Sequence, residues 1–190
     1  VSDMKMLTNI YKKHQNNIEL TDVELRFIYE IDNIITGFGY QKDPRIEEIL
    51  IKRNKRKDLM CALDCTEDEI ALYIIELDEN TIFYGGSLEY TLYDNTKNLS
   101  LPEIVEGDLS FYSVPDINNV KLPKIIGGNL WANDLVSIDG LVMPEIIKGF
   151  LSFPGLKEAK NIKFPTLIGA DINLEDLTSA EGLILPKNVG

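Results

Sequence analysis

The sequence predicts an α+β chain in which N-terminal helices precede a parallel β-solenoid of about five 21-residue turns. Two observations predict the solenoid. Prolines recur every 21 residues, at Pro102, Pro123, Pro144, Pro165 and Pro186. Apolar residues keep the same places in each turn, and a fixed period of roughly 20 to 50 residues indicates a repeat fold. A third observation is that residues 1–79 carry helix-start motifs, so we expect a helical region there and the solenoid over 80–190.

The repeat unit alternates apolar and other residues after each proline. Aligned on proline, four turns read LPEIVEGDLSFYSVPDINNVK, LPKIIGGNLWANDLVSIDGLV, MPEIIKGFLSFPGLKEAKNIK and FPTLIGADINLEDLTSAEGLI. The seventh and ninth places are apolar, which predicts a strand with one buried face. The seventh-place residues are Leu109, Leu130, Leu151 and Ile172. Because one turn cannot bury its own apolar side, we expect these residues to stack in a shared core.

Two further features of the turn concern its bends. A short alternation such as Val120 and Leu122 predicts a second strand that ends at the proline, which has no N–H to donate to a sheet. Gly107, Gly128 and Gly149 stand five places after proline, where we expect glycine to permit a tight bend. Ala170 takes that place in the fourth turn, so its bend is expected to differ.

The first predicted helix of the front end spans residues 21–36. It opens with a capping box, in which Thr21 is the N-cap and Glu24 follows three residues later. Its apolar residues recur at helical spacing and predict one buried stripe. They are Val23, Phe27, Ile28, Ile31, Ile34 and Ile35. Gly37 and Gly39 are expected to stop this helix.

Other helix signals follow in the front end. Asp43 before Pro44 predicts a second helix, because aspartate is a good N-cap and proline suits the first helical position. Thr66 with Glu69 predicts a third helix, and residues 4–14 a further one. We expect this region to cover the open N-terminal edge of the solenoid core.

The charge balance bears on the class of partner. The 190-residue chain has a formal charge of −12, and from Leu99 onward it has 7 lysines, 12 acidic residues and no arginine. Direct binding to nucleic acid or to an anionic membrane is not expected, since phosphate contacts need a basic surface. A partner protein with a basic surface is favoured. The basic run Lys52–Lys57 is interpreted as a solvated helix C-terminus, or alternatively as a contact for nucleic acid or an acidic partner.

Catalytic motifs are missing from the sequence. His14 is the single histidine, and no Ser-His-Asp set, phosphate loop or metal-ligand cluster appears. Cys61 and Cys65 have one residue too many between them for a thioredoxin motif and lack further ligands for zinc. We therefore expect reduced thiols, a cytoplasmic location, no enzyme activity, no cofactor and no bound metal.

The motif LPxIxGxLxF…L…L resembles the leucine-rich repeat superfamily, and within it the receptor-L-domain type with two short strands per turn. The resemblance covers residues 80–190, about 58% of the chain. It implies a binding scaffold and carries over no functional residue. The commonest form has a ladder of asparagines after the strand, whereas here Asn133 is the only asparagine near that place.

The residues between the buried strand places are expected to form one exposed face with three large aromatics, four acids and no base. Exposed aromatic residues are the usual anchors of protein interfaces, and acids around them select a basic partner. The candidate partner-binding residues are Trp131, Tyr112, Phe150, Asp108, Asp171, Glu89, Glu175, Asn129, Asn133 and Asn173. The alternative is a solvated sheet whose aromatic side chains pack on one another.

The leading hypothesis is a non-catalytic protein-binding scaffold. An alternative from another class is an acidic inhibitor that blocks the basic channel of a nucleic-acid enzyme, as some phage-borne anti-CRISPR proteins do. Only charge and size suggest this inhibitor. The last turn is also expected to expose Ile184, Leu185 and Val189 together with a strand edge. Either a longer chain continues from this turn, or a neighbouring copy covers it in end-to-end self-association.

Overall fold

The computed structural model describes residues 2–36, 42–92, 94, 99–159, 163–179, 181, 183–186 and 188–189. The chain divides into two compact units, Val1–Ile70 and Ala71–Gly190. The first contains helices, and the second is a parallel β-solenoid of about four turns. The predicted α+β class is therefore confirmed.

The described part of the first unit contains four α-helices. They are α1 Ser2–Gln15, α2 Asp22–Ile28, α3 Pro44–Leu50 and α4 Lys55–Leu63. α1 confirms the helix predicted at residues 4–14, and α3 begins as predicted after Asp43, whose carboxylate accepts a 2.9 Å hydrogen bond from Arg45 N. The helices bury Leu7, Ile10, Leu25, Ile28, Ile49 and Leu59.

α2 begins as predicted but is much shorter. The Glu24 carboxylate accepts a hydrogen bond from Thr21 N at 2.8 Å, and Thr21 Oγ1 accepts one from Glu24 N at 3.3 Å, which completes the capping box. The helix ends at Ile28, so its predicted continuation to residue 36 is wrong. Val23, predicted to be buried, is 62% exposed. The two glycines expected to stop the helix lie outside the described residues.

A Schellman cap explains the early end of α2. Glu30 adopts a left-handed φ of 51° and donates its backbone N–H to Phe27 O at 2.9 Å. Ile31 N donates to Arg26 O, also at 2.9 Å. This pair of hydrogen bonds usually requires glycine at the left-handed residue. Glutamate at this position therefore gives no helix-stop signal in the sequence.

The helix predicted from Thr66 is a single 3-10 turn, Glu67–Glu69, in which the Glu69 carboxylate accepts a 2.8 Å hydrogen bond from Thr66 N. A second 3-10 turn spans Ile74–Glu76. The predicted third helix therefore starts where expected but is only one turn long, because the backbone turns into a strand at Ile70 straight after it.

Only the first part of the basic run Lys52–Lys57 follows a helix C-terminus, since Lys52 and Arg53 come directly after the C-cap of α3, Ile51. Asn54 Oδ1 accepts a hydrogen bond from Lys57 N at 3.1 Å and starts α4 inside the run. Arg53 forms a bidentate pair with the buried carboxylate of Asp58, at 2.5 and 2.7 Å. These hydrogen bonds raise the pKa of the Arg53 guanidinium. This arginine therefore holds the start of α4 in place and is already paired.

The solenoid consists of short parallel strands in two sheets. The strands are β1 Ile70–Ala71, β2 Phe83–Tyr84, β3 Leu88–Thr91, β4 Ile104–Val105, β5 Leu109–Tyr112, β6 Ile125–Ile126, β7 Leu130–Ala132, β8 Ile146–Ile147, β9 Leu151–Ser152, β10 Leu167–Ile168, β11 Ile172–Asn173 and β12 Asn188–Val189. One sheet has the order β1-β2-β4-β6-β8-β10-β12, and the other β11-β9-β7-β5-β3. Paired residues stand one repeat apart, as Leu109 does from Leu130.

Equivalent side chains stack in interior columns, as predicted. Leu109, Leu130 and Leu151 are 0% exposed, whereas Ile172 in the last described turn is only partly buried. The sequence analysis missed one column, fifteen places after proline, which contains Ile117, Ile138 and Ala159 at 1%, 2% and 1% exposure. Because this column follows a loop instead of a strand, period-two alternation does not reveal it.

The second strand of each turn follows the proline, whereas we predicted it to end there. The sheet hydrogen bonds begin with the residue after Pro123, where Lys124 N donates to Glu103 O at 2.8 Å. Before the proline, where a strand was predicted, the structure has isolated β-bridges, such as those of Ser100 with Lys121 and of Lys163 with Ile184. The missing proline N–H therefore sets where the sheet begins.

A candidate partner-binding face

The outer surface of the five-stranded sheet has the residues that the sequence analysis assigned to a partner. We call this surface the strand face. Its three rows run across the strands β3, β5, β7, β9 and β11 and include the residues that flank them. The rows are Ser87, Asp108, Asn129, Phe150, Asp171; Glu89, Ser110, Trp131, Ser152, Asn173; and Thr91, Tyr112, Asn133, Pro154, Glu175.

Trp131 lies at the centre of the strand face. It is half-buried, and its ring stacks on that of Phe150 with a centroid distance of 5.3 Å and an interplanar angle of 28°. Its Nε1 atom is buried without a hydrogen-bond partner among the described residues. The ring therefore lies along the sheet against its neighbour, as the alternative interpretation of self-packed aromatics expects for this pair.

The three aromatic residues form a diagonal across the strand face. From Tyr112 to Trp131 to Phe150, each step advances one strand and moves back by two residues within the turn. All three are half-buried, so each still exposes part of its ring. At a strand spacing of about 4.8 Å and about 6.6 Å between alternate residues, each step is about 8 Å. The diagonal thus places three aromatic side chains in one strip, in which Trp131 and Phe150 are stacked.

Carboxylates lie on both sides of this strip. Glu89, Asp171 and Glu175 are exposed, and Asp108 is half-buried. None of the fifteen positions in the three rows is basic. A lysine close in sequence, Lys157, is paired with Asp176 at 2.6 Å. The strand face therefore offers aromatic surface and negative charge together.

Two candidate residues also have a structural role. Asp108 Oδ1 accepts hydrogen bonds from Asn129 N at 2.7 Å and from Asn129 Nδ2 at 2.9 Å. Asn129 Oδ1 in turn accepts one from Phe150 N at 3.0 Å, and Ser87 Oγ accepts one from Asp108 N at 2.9 Å. These bonds form a side-chain ladder that joins successive turns just before the strand. The sequence analysis looked for such a ladder after the strand.

The ladder explains why a glycine stands immediately before Asp108, Asn129 and Phe150. A Cβ added to Gly128 would overlap Asp108 Oδ1 and lie 2.8 Å from the Asp108 backbone nitrogen. Gly107 and Gly149 face Ser87 and Asn129 in the same way. None of the three is among the glycines with positive φ, so close approach of the neighbouring turn, and not a special bend, requires glycine here.

Ala170 takes the glycine place in the turn that follows the last hydrogen bond of the ladder. The side chain that would lie over it belongs to Phe150, which has no acceptor atom. The Ala170 N to Gly149 O hydrogen bond is 3.2 Å, compared with 2.9 Å for Gly149 N to Gly128 O. The two turns are therefore slightly further apart at this hydrogen bond, where alanine replaces glycine.

The small residues of the strand face differ in exposure. Ser110, expected to be exposed, is only 5% exposed and donates its hydroxyl to Leu88 O at 3.5 Å. Its counterpart on the far side of Trp131, Ser152, is half-buried. Asn133 and Asn173 are exposed as expected. Ser110 is covered because large side chains surround it on the face.

The other candidate sites have weaker chemistry. A cavity of about 630 Å³ in the first unit is lined by His14, Glu48, Lys52 and Arg53 among others, but Arg53 is paired with Asp58. Cys61 and Cys65 are free thiols, and burial raises the pKa of Cys65, which disfavours its nucleophilic thiolate. Within the described ranges, no group of three or more His, Cys, Asp or Glu side chains is placed to hold a metal ion.

Among the helices that the structure describes, none has the length and apolar character needed to cross a membrane. No protein-family model matches the chain, and neither a curated protein nor a solved structure is similar to it. The function therefore has to be inferred from the strand face itself.

Proposed function

We propose that the protein is a non-catalytic binding scaffold whose strand face docks a partner protein with a basic surface. The supporting observation is the aromatic diagonal of Tyr112, Trp131 and Phe150, with carboxylates on both sides and no base in the three rows. Partly exposed aromatic residues on a flat sheet lose unfavourable contact with water when a partner covers them. In protein interfaces, such residues commonly contribute most of the binding energy.

We also propose that the solenoid belongs with the leucine-rich repeat proteins of the receptor-L-domain type. Two short strands in each 21-residue turn and interior leucine columns support this placement. The side-chain ladder before the strand is a departure from the commonest form, in which asparagines follow the strand. The proposed binding role does not depend on this assignment.

Charge on the strand face would select the partner and speed its approach. Glu89, Asp171 and Glu175 are exposed, and exposed charges act mainly on the association rate and on the choice of partner. Trp131 would act mainly on the dissociation rate, because its ring provides the largest apolar contact. We therefore expect the two kinds of variant to be kinetically distinguishable.

The test is capture of partners from the native host, followed by titration of the captured protein against variants. Trp131→Ala is expected to weaken binding by about 30-fold or more, as for an interface anchor worth 2 kcal/mol. Asp171→Lys is expected to slow association, with the difference shrinking as salt rises. Equal affinity of wild type and both variants would exclude the strand face.

Two matched controls lie away from the strand face. Tyr73 is an exposed aromatic residue and Asp139 an exposed acid, both within the second unit but outside the three rows. Tyr73→Ala and Asp139→Lys should leave the affinity unchanged. A loss of binding in these controls equal to that of Trp131→Ala would assign the partner to another surface.

A further inference from the structure

The strand face contains a recess at Ser110 that the aromatic diagonal alone does not explain. Ser110 pairs with Glu89 on one neighbouring strand and with Trp131 on the other. Along its own strand, Asp108 and Tyr112 point to the same side, two residues before and after it. A small residue is thus surrounded by two carboxylates and two aromatic rings. We call these five residues the Ser110 recess.

Ser110, at the centre of these five residues, is covered more fully than its counterpart in the sheet. Ser110 is 5% exposed, whereas Ser152, which borders Trp131 on the other side, is half-buried. The neighbours of Ser152 along its strand are Phe150 and Pro154, and neither is charged. The recess at Ser110 therefore differs from its counterpart in both depth and charge.

The polar atoms of the recess are mainly acceptors. Asp108 Oδ1 is used by the ladder, but Asp108 Oδ2 and both oxygens of Glu89 accept no hydrogen bond from the described residues. The Ser110 hydroxyl hydrogen is directed to Leu88 O, which leaves the lone pairs of Oγ to accept. Trp131 Nε1 is a donor, but it is buried away from the surface.

The acceptor oxygens and aromatic rings of the recess favour one kind of side chain from a partner. A guanidinium has five N–H donors and no acceptor, is planar, and stacks on aromatic rings. An ammonium has three donors around a compact charge and gains less from flat stacking. We propose that the Ser110 recess binds an arginine side chain of the partner, stacked on Trp131 or Tyr112 and hydrogen-bonded to Glu89 and Asp108. This inference rests on the proposed function and names the partner chemistry that the strand face recognises.

Trp131 makes the test direct because it is the only tryptophan of the chain. Three peptides of identical length, with arginine, lysine or the uncharged isostere citrulline at their centre, are titrated while tryptophan emission is followed. The arginine peptide is expected to change the emission and to bind at least 10-fold more tightly than the citrulline peptide. It is expected to bind several-fold more tightly than the lysine peptide, since a bidentate contact is lost.

Two variants test the carboxylates without disturbing the sheet. Asp108→Asn keeps an acceptor oxygen for the ladder, since Asn129 already fills the equivalent place in the next turn through its own Oδ1. Glu89→Gln changes an exposed side chain without a described hydrogen-bond partner. Each is expected to weaken arginine-peptide binding by about 5- to 10-fold, as for loss of a charge-assisted hydrogen bond. Asp139→Asn, which changes an exposed acid outside the three rows, should leave it almost unchanged.

The outcomes separate this inference from the proposed function. Equal binding of the arginine and citrulline peptides, or binding that Asp108→Asn and Glu89→Gln leave unchanged, overturns the arginine recess. If a captured partner still requires Trp131 in that case, the binding scaffold stands and only the recess is excluded. Loss of the arginine preference in both carboxylate variants, with Asp139→Asn behaving as wild type, supports the recess.

Discussion

At the scale of single residues, side chains that look available for binding also hold successive turns together. Asp108 and Asn129 each use one oxygen to accept the backbone N–H of the equivalent residue in the next turn. Asp108 Oδ2 accepts no hydrogen bond from the described residues, whereas Asn129 Nδ2 donates back to Asp108 Oδ1 within the ladder. A substitution at these positions therefore has to preserve an acceptor if its effect on binding is to be separated from its effect on stability.

The glycine that faces each ladder residue gives a residue-scale prediction. Gly128→Ala is expected to lower the free energy of unfolding by about 1–3 kcal/mol, because the new methyl group overlaps both a side chain and the backbone of the preceding turn. Chemical denaturation followed by circular dichroism measures the change. Gly85→Ala is the control, since its nearest contacts would be at 3.4 Å and its φ is not positive. An equal loss of stability in both variants would contradict the role of the ladder.

The sequence predicts interior residues better than it predicts the ladder. Columns such as Leu109, Leu130 and Leu151 follow from an apolar period alone. The ladder joins residues one full turn apart, so no local pattern shows which polar side chain meets which backbone group. One signal of the ladder was available in the sequence: in three successive turns, a glycine takes the place that faces Ser87, Asp108 or Asn129 of the turn before. Ala170, after the last ladder acceptor, belongs to the same pattern.

At the scale of elements, three helices end at non-glycine residues in the left-handed region. Asn17 follows α1 with φ of 53°, and Ile18 N donates to Lys13 O at 2.9 Å. Glu30 follows α2 with φ of 51°, and Asp64 follows α4 with φ of 52°. Cys65 N donates to Met60 O at 3.2 Å, the long hydrogen bond of a Schellman cap. Neither Glu30 nor Asp64 is glycine. The helix from Thr21 was therefore predicted to continue to residue 36, and α4 was not predicted.

Asp64 therefore gives an element-scale prediction. Asp64→Gly is expected to raise the free energy of unfolding by about 1 kcal/mol, since glycine adopts a left-handed φ without strain and an acid at a helix C-terminus opposes the dipole. Thermal and chemical unfolding of the variant measure the gain. Asp64→Asn removes only the charge and should gain less. A variant with glycine that is less stable than the wild type would show that the Asp64 carboxylate supports the fold.

At the scale of the whole molecule, repetition supplies both the core and its weak point. Each interior turn is covered by the turns before and after it, which is why the residues that precede the prolines, such as Leu122 and Phe164, are each 6% exposed. The equivalent Leu185 is 55% exposed, and Ile184 beside it is 76% exposed. Ile172 and Leu177 are partly buried instead of fully buried.

The sequence analysis predicted the exposure of Ile184 and Leu185, and the structure confirms it. Val189 cannot be compared, because its side chain lies outside the described residues.

This exposed turn gives the last prediction, which concerns assembly of the 190-residue chain. The exposed apolar side chains of this turn favour contact with another copy, so light scattering should show a mass that rises with protein concentration. Leu185→Asp is expected to lower the association constant by about 10-fold or more, because association would then bury a charge. The control is Val142→Asp, which changes a residue that is 78% exposed on an interior turn. It should associate like the wild type. A mass that stays at one chain throughout the concentration range, or equal effects of the two substitutions, would rule out association through this turn.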